Sequence, residues 1–407
     1  GINLNALALS DDPEWKPQGT ELAEPNRGHA TVLIQAQEYA AAEGKEMRIS
    51  ESAYNGKRDE LPFAAGDIPD WDLSGGQVMI FPAWGWVGGP VQVGGIDRKA
   101  GMLNLTGKNA QQDIRLGNRY YLSNVRDALD APGEFYLDRE AGELLYIPAE
   151  EDFDGTGVVA PRLDRLIHVR GSDGDGWPEC IQFRNLAFRD SRYSIAVDSL
   201  YQPADACIWL EHARDIRIEN CTFSHLGGYA VRLLQSSERC KVLGCTMTEM
   251  GQGGVIATGD TANQARDCVV AGCEMRDLGR EYKHVAGVYV TTGSRFVVAH
   301  NTIRDVPRYG ISFKSYSDQA YSHECIAEFN ELVRTNLETN DTGAIETLGR
   351  DRKPTGNIIR FNRILDVVGM KHTPDGGIVS PHYTWGVYLD DYSSGTHVYG
   401  NIVARTV

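Results

Sequence analysis

A short pattern that recurs through the second half of the chain constrains the fold more than any other feature of the sequence. From about residue 178 onward, segments such as FRNLAF, ENCTF, HNTI, FNEL and GNIV return at intervals of 24 to 39 residues. These intervals are too irregular for an α-solenoid and suit β-coils joined by loops of varying length. The anchor positions of the repeat are Asn185, Asn220, Gly244, Gly272, Asn301, Asn330, Asn362 and Asn401.

A second strand follows each anchor from residue 220 on and aligns on a glycine. These strands read GYAVRL, GVIATG, GVYVTT, GISFKS, GAIETL and GVYLDD. Residues one and three steps after the glycine share a mostly apolar face, and the fourth step is always polar. Like residues that stack from turn to turn are typical of a right-handed parallel β-helix, because each coil buries its inner face only against its neighbours. The sequence therefore predicts an all-β solenoid of this kind.

The repeat also predicts two domains. Residues 1–165 lack it and contain tryptophan-rich turns such as FPAWGWVGG, which indicates an irregular β-rich N-terminal subdomain with a short helix over residues 30–44. Residues 166–407 form the predicted β-helix. Its last residues, NIVARTV, read as the opening of another repeat, so we expect C-terminal coils to be missing from this sequence.

Asparagines and cysteines recur with the coils and have structural explanations. An interior amide at a turn can bond to backbone and to the amide of the next coil, so we expect the anchor asparagines to form a ladder. Cys221, Cys245 and Cys273 each follow an anchor directly. No cysteine or histidine spacing typical of zinc sites occurs, so the cysteines are predicted to be buried free thiols.

Charge and hydropathy exclude several partners. The 56 acidic and 40 basic side chains give a formal net charge of −16, which disfavours nucleic acid and fits a carbohydrate partner better. The sequence contains no run of about 18 apolar residues, so no membrane span is predicted. The chain begins at Gly1 without a leader, so we expect an exported protein, periplasmic or extracellular, whose signal has been removed. Its oligomeric state stays open.

Four carboxylates gather in two adjacent coils: Asp341, Glu346, Asp390 and Asp391. Glycosidic hydrolysis needs one carboxylic acid to protonate the leaving oxygen and a second carboxylate as nucleophile or base. The glycine alignment puts Glu346 near the level of Asp390 but on the inward face, where a charge is costly. Asp341 needs a bend to approach Asp390. Spacing alone leaves the partner of Asp390 open.

Other polar and aromatic residues surround these carboxylates. Aromatic faces stack on sugar rings, and cations steady developing charge or pair with carboxylates. The predicted substrate-binding residues are Lys314, Arg350, His382, Trp385, Tyr388, Tyr289, Asp391, Arg308 and His284. The structural alternative is that outward carboxylates only solubilise the coils or hold Ca²⁺, and that Asp391 caps the YSSG turn. No metal or cofactor is required by the predicted chemistry.

Three segments carry a resemblance to a known family. They are GNRYYLSNVRDALDAPGEFYLDREAGELLYIP at 117–148, NDTGAIETLGR at 340–350 and WGVYLDDYSSGTHVYGNIV at 385–403. Together they resemble right-handed parallel β-helix glycoside hydrolases, especially glycoside hydrolase family 141 with its α-L-fucosidases and xylanases, and more distantly the β-helical β-xylosidases. The resemblance implies a catalytic pair of aspartates, which falls on Asp341 and Asp390 and leaves Glu346 in reserve.

These observations predict a glycoside hydrolase that acts on a plant or algal polysaccharide or oligosaccharide. The first alternative is a polysaccharide lyase or uronate epimerase on the same fold, with Lys314, Arg308 or His284 abstracting a proton. The second alternative is a glycan-binding or adhesin β-helix without turnover. The sequence does not distinguish the sugar, the linkage or the stereochemical outcome.

Overall fold

The structure of the protein is a computed structural model. It describes residues 58–106, 113–115, 117–149, 151–155, 158–172, 176–195, 205–373 and 377–406, together with two strands, Ala6–Leu9 and Val32–Gln35. Within these ranges no helix is long and apolar enough to cross a membrane. The helix predicted over residues 30–44 falls mostly outside the described residues, and the four of them that are described form a strand instead.

Three parallel sheets of eight strands build the β-helix. The first sheet contains Ile167–Arg170, Ala206–Glu211, Tyr229–Leu233, Val255–Ala257, Ala286–Val290, Tyr309–Ser315, Thr342–Gly349 and Thr384–Asp390. The second contains Gln182–Arg184, Arg217–Glu219, Lys241–Leu243, Val269–Ala271, Val297–Ala299, Ile326–Glu328, Ile358–Arg360 and His397–Tyr399. The third contains Ala187–Ser191, Thr222–Leu226, Thr246–Thr248, Glu274–Arg276, Thr302–Arg304, Glu331–Val333, Arg363–Val367 and Ile402–Thr406.

Each coil contributes one strand to each sheet in the same order, so every strand pairs with its counterpart one coil away. Inward-facing residues of the three sheets form one continuous apolar core, which includes the column Val231, Val255, Val288, Ile311 and Ile345 of the first sheet. This architecture confirms the predicted right-handed parallel β-helix.

An asparagine ladder stabilises the turn after the second sheet, as predicted, but it is shorter than the sequence suggested. Asn301, Asn330, Asn362 and Asn401 stack, and each amide donates to the side-chain oxygen of the next at 2.9 Å. Asn185 and Asn220 instead occupy the preceding left-handed position, where Gly244 and Gly272 also lie. The sequence alignment of the repeats had treated the left-handed position and the ladder position that follows it as one column.

In three earlier coils, cysteines occupy the position that the ladder asparagines occupy in later coils. The backbone N–H of Cys273 donates to the side-chain oxygen of Asn301 at 3.0 Å, which places Cys273 one coil below the ladder. Cys221 and Cys245 precede it in the same column, because the strands before them pair in register. All eight cysteines are free and seven are buried, which confirms the prediction of buried free thiols.

A five-stranded antiparallel sheet precedes the coils. In spatial order its strands are Glu60–Pro62, Met102–Leu105, Gly89–Asp97, Gln77–Ile80 and Tyr120–Ser123. Its apolar residues share a second core with outward-facing residues of the first sheet, among them Ile256, Tyr289 and Tyr309. This N-terminal sheet therefore covers the outer face of the first sheet in its middle coils.

The remaining elements are short. Two antiparallel hairpins pair Phe135–Asp138 with Glu143–Tyr146 and Lys371–His372 with Ile378–Val379. A three-stranded parallel sheet, Ala265–Arg266, Gly293–Ser294 and Ser322–His323, forms the corner between the first and second sheets. Arg126–Ala128 forms a 3₁₀ turn. The segment 1–54 is a separate compact unit, whose described strands Ala6–Leu9 and Val32–Gln35 pair antiparallel.

Candidate active site

The register of the last two strands of the first sheet places Glu346 on the outer face. Glu346 pairs with Tyr388, and Leu348 pairs with Asp390, so Glu346 and Asp390 lie on the same side of the sheet. The glycine alignment had put Glu346 inward, which is wrong. Ile345 rather than Ala344 continues the core column of Ile311, and a shift of one residue exchanges the two faces of a strand.

Asp341 and Asp390 share one tyrosine neighbour. The Tyr388 hydroxyl donates to Oδ1 of Asp341 at 3.0 Å, and Tyr388 lies close enough to Asp390 to affect the pKa of its carboxyl. Asp341 has a left-handed φ of 50°, which supplies the bend that the sequence required before Thr342. Both carboxylates are partly exposed. Both aspartates lie beside the phenol of Tyr388, and we refer to this partly exposed area around Asp341, Tyr388 and Asp390 as the bay.

Burial affects the proton affinity of Asp390. Loss of solvent raises the pKa of its carboxyl above the ordinary value, and the nearby charges of Asp341 and Asp391 act in the same direction. Lys314 and Tyr388 oppose this effect. Of the two aspartates in the bay, Asp390 therefore has an environment suited to a general acid.

Glu346 and Lys314 form a buried ion pair beneath Asp390. Lys314 Nζ contacts Glu346 Oε1 and also lies 3.3 Å from the hydroxyl of Tyr309. Glu346 is only 1% exposed, and burial raises the pKa of its carboxyl to about 7 against the opposing charges of Lys314 and Arg308. The second oxygen of Glu346 lacks a hydrogen-bond partner. Glu346 is thus close to the bay without being open to it.

Four predicted substrate-binding residues do not reach the surface. Lys314, Arg308, His284 and Tyr289 are each 3% exposed or less. Tyr289 does share the outward column of Tyr388 through Ser312 and Glu346. It is buried because the N-terminal sheet packs over that part of the column. In this structure these four side chains support the bay from below and do not line it.

Arg308 connects the N-terminal loop 81–89 to the bay through hydrogen bonds. Its guanidinium donates to the carbonyls of Trp86 at 2.7 Å, Asn340 at 2.9 Å and Asp341 at 2.9 Å. The Asn340 amide donates in turn to the carbonyl of Trp84 at 3.2 Å. Sequence reasoning treated FPAWGWVGG only as a turn-rich segment. Its two closely spaced tryptophans, Trp84 and Trp86, were the only available signal in that segment.

The remaining predicted residues are more exposed. The rings of Trp385 and Tyr388 stack with centroids 4.3 Å apart, and Tyr383 packs edge-on against Trp385 at 4.6 Å. His382 lies next to Tyr383 and is partly exposed. Aromatic rings thus form one wall of the bay, in the arrangement that sugar rings stack against.

Arg350 and Asp391 pair with each other at the edge of the bay. Arg350 Nη2 lies 2.7 Å from Oδ2 of Asp391, and both residues are exposed. Asp391 is therefore held by a cation rather than by the backbone of the YSSG turn. Among the residues that the structure describes, those of the bay included, no group of three or more histidine, cysteine, aspartate or glutamate residues could hold a metal ion.

The fold and the bay together define a right-handed parallel β-helix protein with a carboxylate site on its outer face. A family model described as "Right handed beta helix region" matches residues 206–403. No curated protein matches the chain.

Solved structures show similar coils. One, described as "Glycoside hydrolase", superposes with a TM-score of 0.61 at 16% identity, covering 84% of this chain and 73% of the other. A mannuronan C-5 epimerase module from Azotobacter vinelandii gives a TM-score of 0.35 at 13% identity, covering 55% of this chain and 58% of the other. At 16% identity, the likeness to the first of these structures concerns the fold alone.

Proposed function

We propose that this protein is a glycoside hydrolase that cleaves a plant or algal polysaccharide or oligosaccharide outside the cell. Asp390 is the general acid and Asp341 is its partner carboxylate. The observation that carries the proposal is the Tyr388 hydroxyl, which donates to Asp341 and lies close enough to Asp390 to affect the pKa of its carboxyl, with both aspartates partly exposed. The structural neighbour with a TM-score of 0.61 is itself described as a glycoside hydrolase, which supports the same chemistry.

In this mechanism Asp390 donates its proton to the glycosidic oxygen as the bond to the anomeric carbon breaks. Its raised pKa keeps a proton available at a higher pH than an ordinary aspartate would. Asp341, held by the hydrogen bond from Tyr388, is then either the nucleophile that attacks the anomeric carbon or the base that activates the attacking water.

Hydrolysis fits the bay better than proton abstraction. The lyase or epimerase alternative needs Lys314, Arg308 or His284 to reach a substrate carbon, and all three are buried. Asp341 and Asp390 are partly exposed. A chelator should leave activity unchanged, because the proposed steps use only side chains of this chain.

The test compares Asp390→Asn and Asp341→Asn with the parent by reducing-sugar release from a panel of plant and algal polysaccharides. Each substitution should lower turnover by about 10²–10⁴-fold with the fold intact. Asp305→Asn is the matched control, since Asp305 pairs with Arg334 at another corner of the coils. Retained turnover in Asp390→Asn, or an unsaturated product absorbing in the near ultraviolet, would overturn the proposal.

A further inference from the structure

A cavity of about 490 Å³ lies on the corner between the first and second sheets, apart from the carboxylate bay. It is lined by residues from successive coils, among them Ser294, Tyr321, His323, Gly356 and His397. Coils stack about 4.8 Å apart, so this cavity runs along the helix axis. Its volume lies in the range of small-molecule sites. We refer to it as the corner cavity.

Two aromatic rings form a wall of the corner cavity. The rings of Tyr321 and His323 stack with centroids 4.2 Å apart and an interplanar angle of 28°. Nε2 of His323 lies 2.7 Å from Oδ2 of Asp351, whose side chain is fully buried. The carboxylate fixes the imidazole, and the imidazole supports the phenol. This wall is held in place before any ligand arrives.

The opposite part of the lining leaves backbone accessible. Gly356 and Gly395 have left-handed φ values of 67° and 69° and carry no side chain into the space. A Cβ on Gly395 would lie 2.8 Å from the Cβ of Pro354, so a larger residue does not fit there. The corner cavity is thus kept open by the turn geometry of two coils.

A buried polar atom in the lining lacks a partner. Ser294 is only 5% exposed, and its hydroxyl has no hydrogen-bond partner although the residue lines the corner cavity. The amide oxygen of Gln264, from the preceding coil, is unpartnered as well. Both atoms lie just behind the surface of the lining, where ordered water is their expected partner, so the lining is polar on this side.

The charges at the corner cavity are already balanced. Arg295 forms two hydrogen bonds to Asp267, at 2.6 Å and 2.8 Å, and Glu324 lies 3.8 Å from it. His323 is paired with Asp351. Since these cations have carboxylate partners, they leave no positive excess to bind a phosphate or a polyuronate. A neutral, polyhydroxylated ligand with one apolar face fits this lining.

We propose that the corner cavity is a second glycan-binding site, which holds a neutral sugar unit of the polysaccharide away from the bond that is cleaved. This inference rests on the proposed function, because it takes the same substrate class. The strand Ser322–His323 adjoins the strand of Lys314, and the Ser322 hydroxyl donates to the Lys314 carbonyl at 2.7 Å. The corner cavity thus borders the coil that contributes Lys314 to the carboxylate site.

The experiment measures binding without turnover, in the Asp390→Asn background. Native gels cast with soluble arabinoxylan, xyloglucan or laminarin report affinity as retardation. Tyr321→Ala and, separately, His397→Ala should weaken retardation in at least one gel by about 10-fold, as expected for a lost sugar-stacking surface. His397 is exposed, so its substitution leaves the fold intact. Tyr399→Ala, an exposed aromatic in the same last coil, is the matched control.

Equal retardation of Tyr321→Ala, His397→Ala and Tyr399→Ala, or no retardation of the parent in any gel, would overturn the inference. In the Asp390-containing protein, the two cavity variants should lose activity on polymers while keeping activity on short substrates. If Asp390→Asn retains turnover but Tyr321→Ala loses retardation, the proposed catalytic pair fails and the second site stands. The two failures are therefore distinguishable.

Discussion

The hydroxyl of Tyr388 donates to Oδ1 of Asp341 at 3.0 Å, although Tyr388 lies opposite Glu346 in the sheet register. The phenol thus reaches back along its strand to the start of the preceding one. Tyr388 therefore positions the Asp341 carboxylate and also lies close enough to Asp390 to affect the pKa of that carboxyl.

Removing the Tyr388 hydroxyl should distinguish its role in positioning a carboxylate from the role of the ring in substrate binding. Tyr388→Phe keeps the ring that stacks on Trp385, so KM should change little while kcat falls by about 10–100-fold, the value of one hydrogen bond to a charged group. Tyr388 lowers the pKa of Asp390, so loss of its hydroxyl should move the alkaline limb of the pH profile upward. Tyr399→Phe, whose hydroxyl contacts Arg360, serves as control. An unshifted pH profile would contradict this role.

The buried carboxyl of Glu346 should make stability depend on pH. Burial raises its pKa from 4.5 to about 7, so the unfolded chain releases this proton at lower pH than the folded chain does. The contribution of Glu346 to stability is therefore fully present below pH 4.5 and is lost as the pH rises through about 7. Relative to Glu346→Gln, the free energy of unfolding of the parent should fall by about 3 kcal/mol across this window.

Urea unfolding at several pH values measures this difference. Glu331→Gln is the control, because Glu331 is a less buried carboxylate that pairs with Arg363. A parent and a Glu346→Gln variant whose stabilities stay parallel between pH 4.5 and 7 would show that Glu346 is ionised in the folded protein throughout.

The sequence predicted the coils correctly, but it did not predict for every strand which face is buried. Apolar columns such as Val255, Val288 and Ile311 were readable because each coil repeats the same alternation. GAIETL was misaligned because Ala344 and Ile345 are both apolar, so either could continue the column. Alignment on Gly343 placed Ala344 in the core column, whereas Ile345 occupies it in the structure.

The sequence was a better guide to which residues lie near the bay than to how exposed their side chains are. Asp341 and Asp390 both neighbour Tyr388, which the sequence analysis also singled out, and the catalytic roles that the resemblance implied for the two aspartates stay a prediction. The burial of Tyr289 and His284 was not readable, because it depends on the sheet formed by residues about 200 positions earlier in the chain. Local patterns carry no information about which outer face a distant subdomain covers.

The asparagine ladder should contribute measurably to stability. Asn330 accepts from the backbone and side chain of Asn301, and its amide donates to Val298 and Asn362. Asn330→Ala leaves buried partners unsatisfied and should cost about 2–4 kcal/mol of unfolding free energy. Asn401→Ala should cost less, since Asn401 is partly exposed and water can replace its bonds. Equal losses in urea titrations would contradict this ranking.

Arg308 should control the loop 81–89 as well as the bay. Its guanidinium spans three carbonyls, those of Trp86, Asn340 and Asp341, and a lysine ammonium cannot reproduce this planar fork. Arg308→Lys should therefore lower turnover by at least about 10-fold, the value of a lost charged hydrogen bond, and should make the loop more sensitive to limited proteolysis.

Arg304→Lys is the matched control, because Arg304 lies nearby in the chain but pairs with Glu274 at the surface. Its proteolysis pattern and activity should match those of the parent. If Arg308→Lys lost activity while its loop stayed as protected as in Arg304→Lys, Arg308 would act on Asp341 alone. If both variants kept parental activity, the loop would have no part in holding the bay in its working shape.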